Sequence, residues 1–227
     1  LIDDGACLQL GIGAIPNAIA ESLENKKDLG IHTEMFTDSI VDLVEEGVIN
    51  CAGKNLHRGK AVATFLMGTK KLYDFVDNNP FIEMHPVNYT NDPCVIGCND
   101  NMISINSSLQ VDLLGQAISE AIGMAQYSGV GGQVDFARGA SRSKNGKCIL
   151  AFPSTAQGGK ISRIVSRIPD GTVVTTSRND VHYIVTEYGI ANLRGKSCGQ
   201  RAQELIAIAH PDFREQLAKD FNSRNFI

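Results

Sequence analysis

Glu34 is the residue whose type and setting most invite chemistry. It ends the short apolar run Gly30-Ile31-His32-Thr33 and stands just before Thr37, Asp38 and Ser39, all good helix N-cap residues. Ile40, Val41, Leu43 and Val44 then recur at helical spacing until Gly47 stops the pattern. This places Glu34 at a strand-to-helix turn on the carboxyl edge of a sheet, where open α/β sheets hold their ligands. A carboxylate held there can act as a nucleophile. The quieter reading is a surface Glu favoured by the positive end of a helix.

Three further segments could serve such a carboxylate. Gln9-Leu10-Gly11-Ile12-Gly13 leads into a helix, and bare amides at a helix start bind anions while glycines let a ligand approach the backbone. Gly129-Val130-Gly131-Gly132-Gln133 presents consecutive backbone N–H groups of the kind that stabilise an oxyanion or cradle a carbonyl. Asp135 and Arg138 follow, three apart, and can pair on one helical turn. Lys160 stands behind Gly158-Gly159, where a mobile ammonium can reach an anionic ligand. Each segment also has a plain structural reading: a tight turn, a flexible loop with a surface ion pair, and a solvated lysine.

The first glycine turn also invites a dinucleotide-site reading. Gly11-x-Gly13 follows a strand, opens a helix, and precedes Glu34 at about the distance of a ribose-binding acid. Against it, Pro16 occupies the place of the third glycine of that fingerprint. The residues after Glu34 also continue apolar into a capped helix. Of the five histidines, none falls in metal or triad spacing, and there is no G-x-S-x-G. On a strand His32 would point the same way as Glu34, either tuning it or serving as a structural histidine. Cys94 and Cys98 are the only close cysteines and lack a second pair at zinc spacing, so no metal site is expected.

The elements that must position these residues read as an alternation. Ala6–Leu10 is predicted as a strand, Asn17–Lys27 as a helix, then a strand ending near Glu34, a helix over Asp38–Glu46 and a strand over Val48–Cys51. That order marks a parallel sheet with crossover helices. A strand at Lys60–Met67, a helix at Thr69–Asn78 and a strand at Phe81–His85 continue it. Pro86–Asp100 reads as a long connection, Met102–Leu113 as β, and Gly115–Ser128 as helix or irregular. Ser141–Lys147 reads as a polar loop. Cys148–Pro153, Ile161–Ile168, Thr172–Thr176 and His182–Thr186 read as strands, and Gln200–Ala209 and Asp212–Asn222 as helices separated by Pro211. A single α/β domain is the simplest account.

The 227 residues are 43% hydrophobic and 20% charged, the balance of a globular chain, with a formal net charge of −4. Without a basic stripe or any Trp, nucleic acid is not an expected partner. No apolar run approaches the ~20 residues that span a bilayer. The six scattered cysteines form no disulfide framework and suit a reducing, cytoplasmic setting. The chain opens on Leu1 in mid-pattern, from which a missing N-terminal part is expected.

Taken in order, Gln9–Pro16, His32-Thr33-Glu34-Met35, Pro86–Pro93, Gln110–Leu113, Ser128–Arg138 and Glu187–Gly195 resemble the C-terminal domain of the acetyl-CoA hydrolase/transferase family. The likeness is to its 4-hydroxybutyrate and butyryl-CoA:acetate CoA-transferase branch, and it spans residues 1–227. It implies an open, mostly parallel α/β sheet flanked by helices, of the CoA-transferase type related to the sugar-phosphate isomerase type. It implies that Glu34 becomes a glutamyl-CoA thioester and that Gln9, Leu10, Gly11, Ile12 and Gly13 form the CoA-binding loop. Gly131 and Gly132 would contact the oxyanion and thioester, and Lys160 the CoA. Coenzyme A would be substrate and covalent intermediate, with no permanent cofactor. Partners would be acyl-CoA, short carboxylic acids, an N-terminal domain of the same protein and further copies of the chain. Hydrolysis on the same Glu and a non-catalytic CoA-binding domain remain as alternatives.

Overall fold

The structure is a computed structural model that describes residues 1–11 and 13–223. Its internal contacts divide the chain into two compact units. One comprises Leu1–Asn106 and Asp135–Cys148, the other Ser107–Val134 and the residues from Ile149 onward.

In the first unit, β1 (Cys7–Leu10) is followed by α1 (Ala14–Glu21), which crosses over to β2 (Gly30–Ile31). β2 lies parallel to β1 in the register Cys7↔Gly30, Leu8↔Ile31. Next come β3 (Met35–Phe36), α2 (Asp38–Glu45), β4 (Ala61–Ala63), β5 (Phe65–Leu66), α3 (Lys70–Val76) and β6 (Ile82–Met84). β3 pairs with β5 and β4 with β6, all parallel, and His32 adds a parallel bridge to Val62. Two short helices, α4 (Val87–Thr90) and α5 (Pro93–Gly97), precede β7 (Met102–Asn106), which pairs parallel with β1 on the side away from β2. The alternating pattern therefore builds the parallel sheet it predicts. β1 and β7 are buried along their whole length, and their polar residues Gln9, Ser104 and Asn106 are buried with the apolar ones.

Local differences have physical causes. α1 starts at Ala14, with Pro16 in its first turn, and ends at Glu21, earlier than predicted. Val48–Cys51 is no strand: Ile49 makes a single parallel bridge to Leu29, and Cys51 at φ 57 turns the chain away. Inside Pro86–Asp100, Asp92 accepts a hydrogen bond from the Cys94 N–H at 2.7 Å and starts α5 with Pro93 at its first position. Residues 133–142 form α6 (Gln133–Arg142), which extends the single helical turn expected at Asp135 and Arg138 and takes in the start of the predicted Ser141–Lys147 loop. Gly139 is needed in that helix because a Cβ there would lie 2.4 Å from Ile96 Cγ2. Close packing of α5 on α6 thus outweighs the ~1 kcal/mol that Gly costs in a helix.

In the second unit, β8 (Gln110–Asp112) pairs antiparallel with β9 (Ala117–Ile118). Asp112 Oδ1 accepts from the N–H groups of Leu114 and Gln116 and tightens that turn. β10 (Ala121–Ile122) and β11 (Ala125–Gln126) form a hairpin, so Gly115–Ser128 is short β structure with no helix. β12 (Lys147–Ala151) carries the chain onward through β13 (Thr155–Ala156), β14 (Ile161–Ser162) and β15 (Ile164–Val165). The predicted Ile161–Ile168 strand is split: β14 pairs back on β13, whereas β15 lies parallel to β8. Thr172–Thr176 forms no strand: Thr176 makes a single bridge to Ala117, and Thr175 Oγ1 accepts from the Ser119 N–H. β16 (Tyr183–Thr186) is parallel to β12 and antiparallel to β17 (Gly189–Asn192). α7 (Cys198–Ala207) starts on a Ser197–Gln200 capping box, and α8 (Pro211–Asn222) begins with Pro211 as its first residue. Val111, Leu150, Phe152, Ile164, Ile184 and Leu205 centre the core of this unit. Among the described residues no helix is long and apolar enough to cross a membrane.

Candidate active site

β1 has β2 on one side, reached through α1, and β7 on the other. The strand order therefore reverses at β1, and the carboxyl end of such a strand opens a ligand crevice. Two predicted site segments leave the sheet here: Gly11–Gly13 follows β1, and Glu34 follows β2 by three residues. Ile12 lies outside the described residues.

Glu34 is half-buried at a bend between β2 and β3, so the short strand β3 separates it from α2. Its main chain is clamped on both sides. The Thr33 N–H donates to the Val62 carbonyl at 3.0 Å, and the Glu34 carbonyl accepts from the N–H groups of Thr64 and Phe65 at 2.9 and 3.1 Å. Asp135 on α6 shares its surroundings: burial first, then the negative charge of Glu34, raise the Asp135 carboxyl above its ordinary range, while Arg138 pulls it down. Arg138, three residues on from Asp135, acts on that carboxyl through its charge.

Sequence reasoning missed the group that holds β2 from beneath. Lys54 is 5% exposed, and its Nζ donates to the carbonyls of Ile31 and Lys60, each at 2.8 Å. Its stem crosses Gly30 so closely that a Cβ there would sit 2.7 Å from Lys54 Cγ. Burial pushes the Lys54 ammonium below its usual range. A lysine among small polar residues carries no sequence mark of this role.

His32 is fully buried and is not a partner of the carboxylate. Its Nε2–H donates to the Thr90 carbonyl at 2.8 Å, and Nδ1 has no partner. Burial pushes its pKa down to about 4, so it stays neutral; the structural reading of this histidine holds.

At the glycine turn, Gln9 and Leu10 are buried in β1. The Gln9 amide is used internally: Nε2 donates to Asn106 Oδ1 at 3.1 Å, and Oε1 accepts from Asn106 Nδ2 at 2.9 Å and Ser104 Oγ at 2.7 Å. A Cβ on Gly11 would lie 2.5 Å from Asn106 Oδ1, so Gly11 is required by this network. Gly13 is required by its backbone, φ 110, and a Cβ there would meet open space. It stands at the N-cap of α1 with no side chain capping the helix, which leaves the first N–H groups without a side-chain acceptor. The groove lined by Glu21, Glu24, Asp42 and Glu46 is acidic and unsuited to a phosphate.

The second unit carries the other predicted residues. Gly131, exposed at φ 58, and the buried Gly132 lie immediately before α6. Lys160 is exposed at the end of the loop joining β13 to β14, where Gln157, Gly158 and Gly159 all have positive φ.

Residues 68–221 match the acetyl-CoA hydrolase/transferase C-terminal domain. The chain is 62% identical over 224 residues to the 4-hydroxybutyrate coenzyme A transferase of Clostridium kluyveri, covering 99% of this chain and 52% of that protein. It is 50% identical over 224 residues to the butyryl-CoA:acetate CoA-transferase of Anaerostipes caccae, covering 96% of this chain and 50% of that one. The crystal structure of a 4-hydroxybutyrate CoA-transferase from Porphyromonas gingivalis superposes with a TM-score of 0.85 at 53% identity, over 97% of this chain and 52% of that chain. The chain spans about half the length of the curated relatives it matches. By both sequence and fold, the chain belongs to the acetyl-CoA hydrolase/transferase family.

Proposed function

We propose that the protein transfers coenzyme A between an acyl-CoA and a short-chain carboxylic acid of the acetate, butyrate or 4-hydroxybutyrate type, through a glutamyl-CoA thioester on Glu34. One observation carries the reading: in a chain 62% identical to a CoA-transferase, a half-buried Glu with a clamped main chain follows β2, the parallel neighbour of the strand that leads into the glycine turn. The Glu34 carboxylate attacks the acyl-CoA carbonyl and expels CoA thiolate, leaving a mixed anhydride. The thiolate attacks the glutamyl carbonyl of that anhydride, releasing the first acid as its carboxylate and leaving the Glu34 thioester. A second carboxylate attacks this thioester, and the same two steps run in reverse give the new acyl-CoA and free Glu34. A carboxylate nucleophile conserves the thioester's energy through the exchange.

In this reading Gly11, Ile12 and Gly13 supply backbone amides to CoA, with Gln9 and Leu10 as the buried strand that positions them. Gly131 and Gly132 supply N–H groups to the oxyanion and thioester carbonyl, and Lys160 supplies a charge to the CoA. The pocket for the acid is completed by an N-terminal domain of the same protein, which works in the cytoplasm as a homo-oligomer.

The test is mass spectrometry of the full-length protein after incubation with butyryl-CoA alone. A CoA adduct on the peptide holding Glu34, absent in Glu34→Ala together with acetate exchange, is the expected result. An adduct on a Cys or Ser, or normal exchange by Glu34→Ala, overturns the nucleophile. Steady release of CoA without acceptor acid points to hydrolysis. Tighter binding of NAD than of CoA in calorimetry would restore the dinucleotide reading, which Pro16, buried in α1, argues against.

A further inference from the structure

His57, Glu83, His85 and Tyr89 come together in the first unit, on the side of β4 and α4 near His32 and Lys54, and none of the four has a role assigned above. Glu83 and His85 are two apart at the carboxyl end of β6 and so project to one side of it. His57 comes from the turn before β4, where its φ of 53 holds it in the left-handed region. Two imidazoles aim at one carboxylate oxygen: His57 Nδ1 lies 2.6 Å and His85 Nε2 3.3 Å from Glu83 Oε2. One ligand atom from each of the three residues falls within 4.8 Å of the other two. Tyr89 Oη lies 2.7 Å from the other nitrogen of His57, and its ring packs 4.8 Å from that of His85.

We propose that these three side chains form a zinc site, with His57 Nδ1, His85 Nε2 and a Glu83 oxygen as ligands. Two imidazoles and one carboxylate are a donor set that zinc takes with a fourth position left to water. At zinc–ligand distances of about 2.0–2.2 Å, tetrahedral ligands stand roughly 3.4 Å apart. The His85–Glu83 separation already fits, and His57 and Glu83 need to part by less than an ångström. All three side chains are partly exposed, 19%, 33% and 28%, which leaves both that freedom and a path for the ion and its water. Tyr89 is the outer partner that a ligating histidine ordinarily has. With zinc on Nδ1, the His57 proton sits on Nε2 and is donated to Tyr89 Oη; without it, Nδ1–H donates to Glu83 and Nε2 accepts from Tyr89. The exchange moves a proton between the two ring nitrogens and releases none from neutral imidazole. The site would tie the turn at His57 to β6 and α4, and it is independent of the transferase reading.

The experiment is titration of the chelator-stripped full-length protein with ZnCl2 in a calorimeter, repeated with CoCl2 in an absorption spectrometer. One equivalent should bind at micromolar or tighter affinity, and Co2+ should give the intense visible bands of a four-coordinate site. Glu83→Gln and His85→Gln should each weaken binding at least about a hundredfold, and Tyr89→Phe about tenfold. Far-UV circular dichroism of the stripped variants verifies their folding, and the milder Tyr89→Phe keeps the test decisive if a ligand variant fails to fold. Cys94→Ser/Cys98→Ser should bind as the parent does. Absence of stoichiometric binding, binding that survives the ligand variants, or binding lost in the cysteine variant would each overturn the site.

Discussion

His32 makes the protein acid-sensitive at a single defined position. Its ring is fully buried, with Nε2–H donating to the Thr90 carbonyl, Nδ1 unpartnered and the Phe136 ring 6.2 Å away. A proton on Nδ1 would create a buried charge and a donor with no acceptor, which is why burial holds the folded-state pKa at about 4. In the unfolded chain the imidazole titrates at about 6.5. The folded pKa is the lower one, so the unfolded state takes up the proton first on acidification. The stability His32 contributes is complete above about pH 6.5 and is lost as the pH falls towards 4. Between pH 7 and 4.5 the linkage relation gives a loss of roughly 2–3 kcal/mol from this residue alone. Carboxylates and other histidines add their own pH dependence, so the measurement is a difference. Reversible urea unfolding of wild type and His32→Gln is followed at several pH values across that range. The Gln amide can still donate to Thr90 but does not titrate. Wild type should lose roughly 2–3 kcal/mol more than the variant. Parallel profiles within about 0.5 kcal/mol, or a His32 ring resonance titrating near 6.5 in the native state, would refute the reasoning.

Gly11→Ala places a methyl 2.5 Å from Asn106 Oδ1 and 3.2 Å from the Ile105 carbonyl, so either Asn106 leaves Gln9 or β1 shifts. A loss of about 1–3 kcal/mol in urea unfolding is expected, partly recovered in Gly11→Ala/Asn106→Ala, with weaker CoA binding in calorimetry. Lys54→Met removes the ammonium that donates to the Ile31 and Lys60 carbonyls. It should cost about 1–3 kcal/mol in the same assay and slow exchange at Glu34, because β2 ends on that carbonyl. Ser197→Ala removes the capping box of α7 and should cost about 1 kcal/mol while leaving exchange unchanged.

The order of elements through Glu34, the parallel pairing of β1 and β2, and the helices that close the chain were legible in the sequence. They follow from local causes: continuous apolar runs for buried strands, 3.6-residue spacing for helices, and glycine, proline and capping residues at the joints. The family was legible too, because its motifs are short stretches in a set order. What pairing partners decide was not. Val48–Cys51 has the composition of a strand, yet it meets its neighbour only around Leu29, in one bridge at Ile49, and Ile161–Ile168 is divided between two partners. α6 was legible only as a single turn around Asp135 and Arg138, and Gly139 has its place in it because Ile96 needs the space. The same holds at the site. Glu34 and the glycines of the proposed site are singled out by type and position. Lys54 under β2, Asn106 locked to Gln9, and His57 brought against Glu83 and His85 are ordinary residues far apart in sequence. Only the tertiary structure gives them burial and partners, and those set their chemistry.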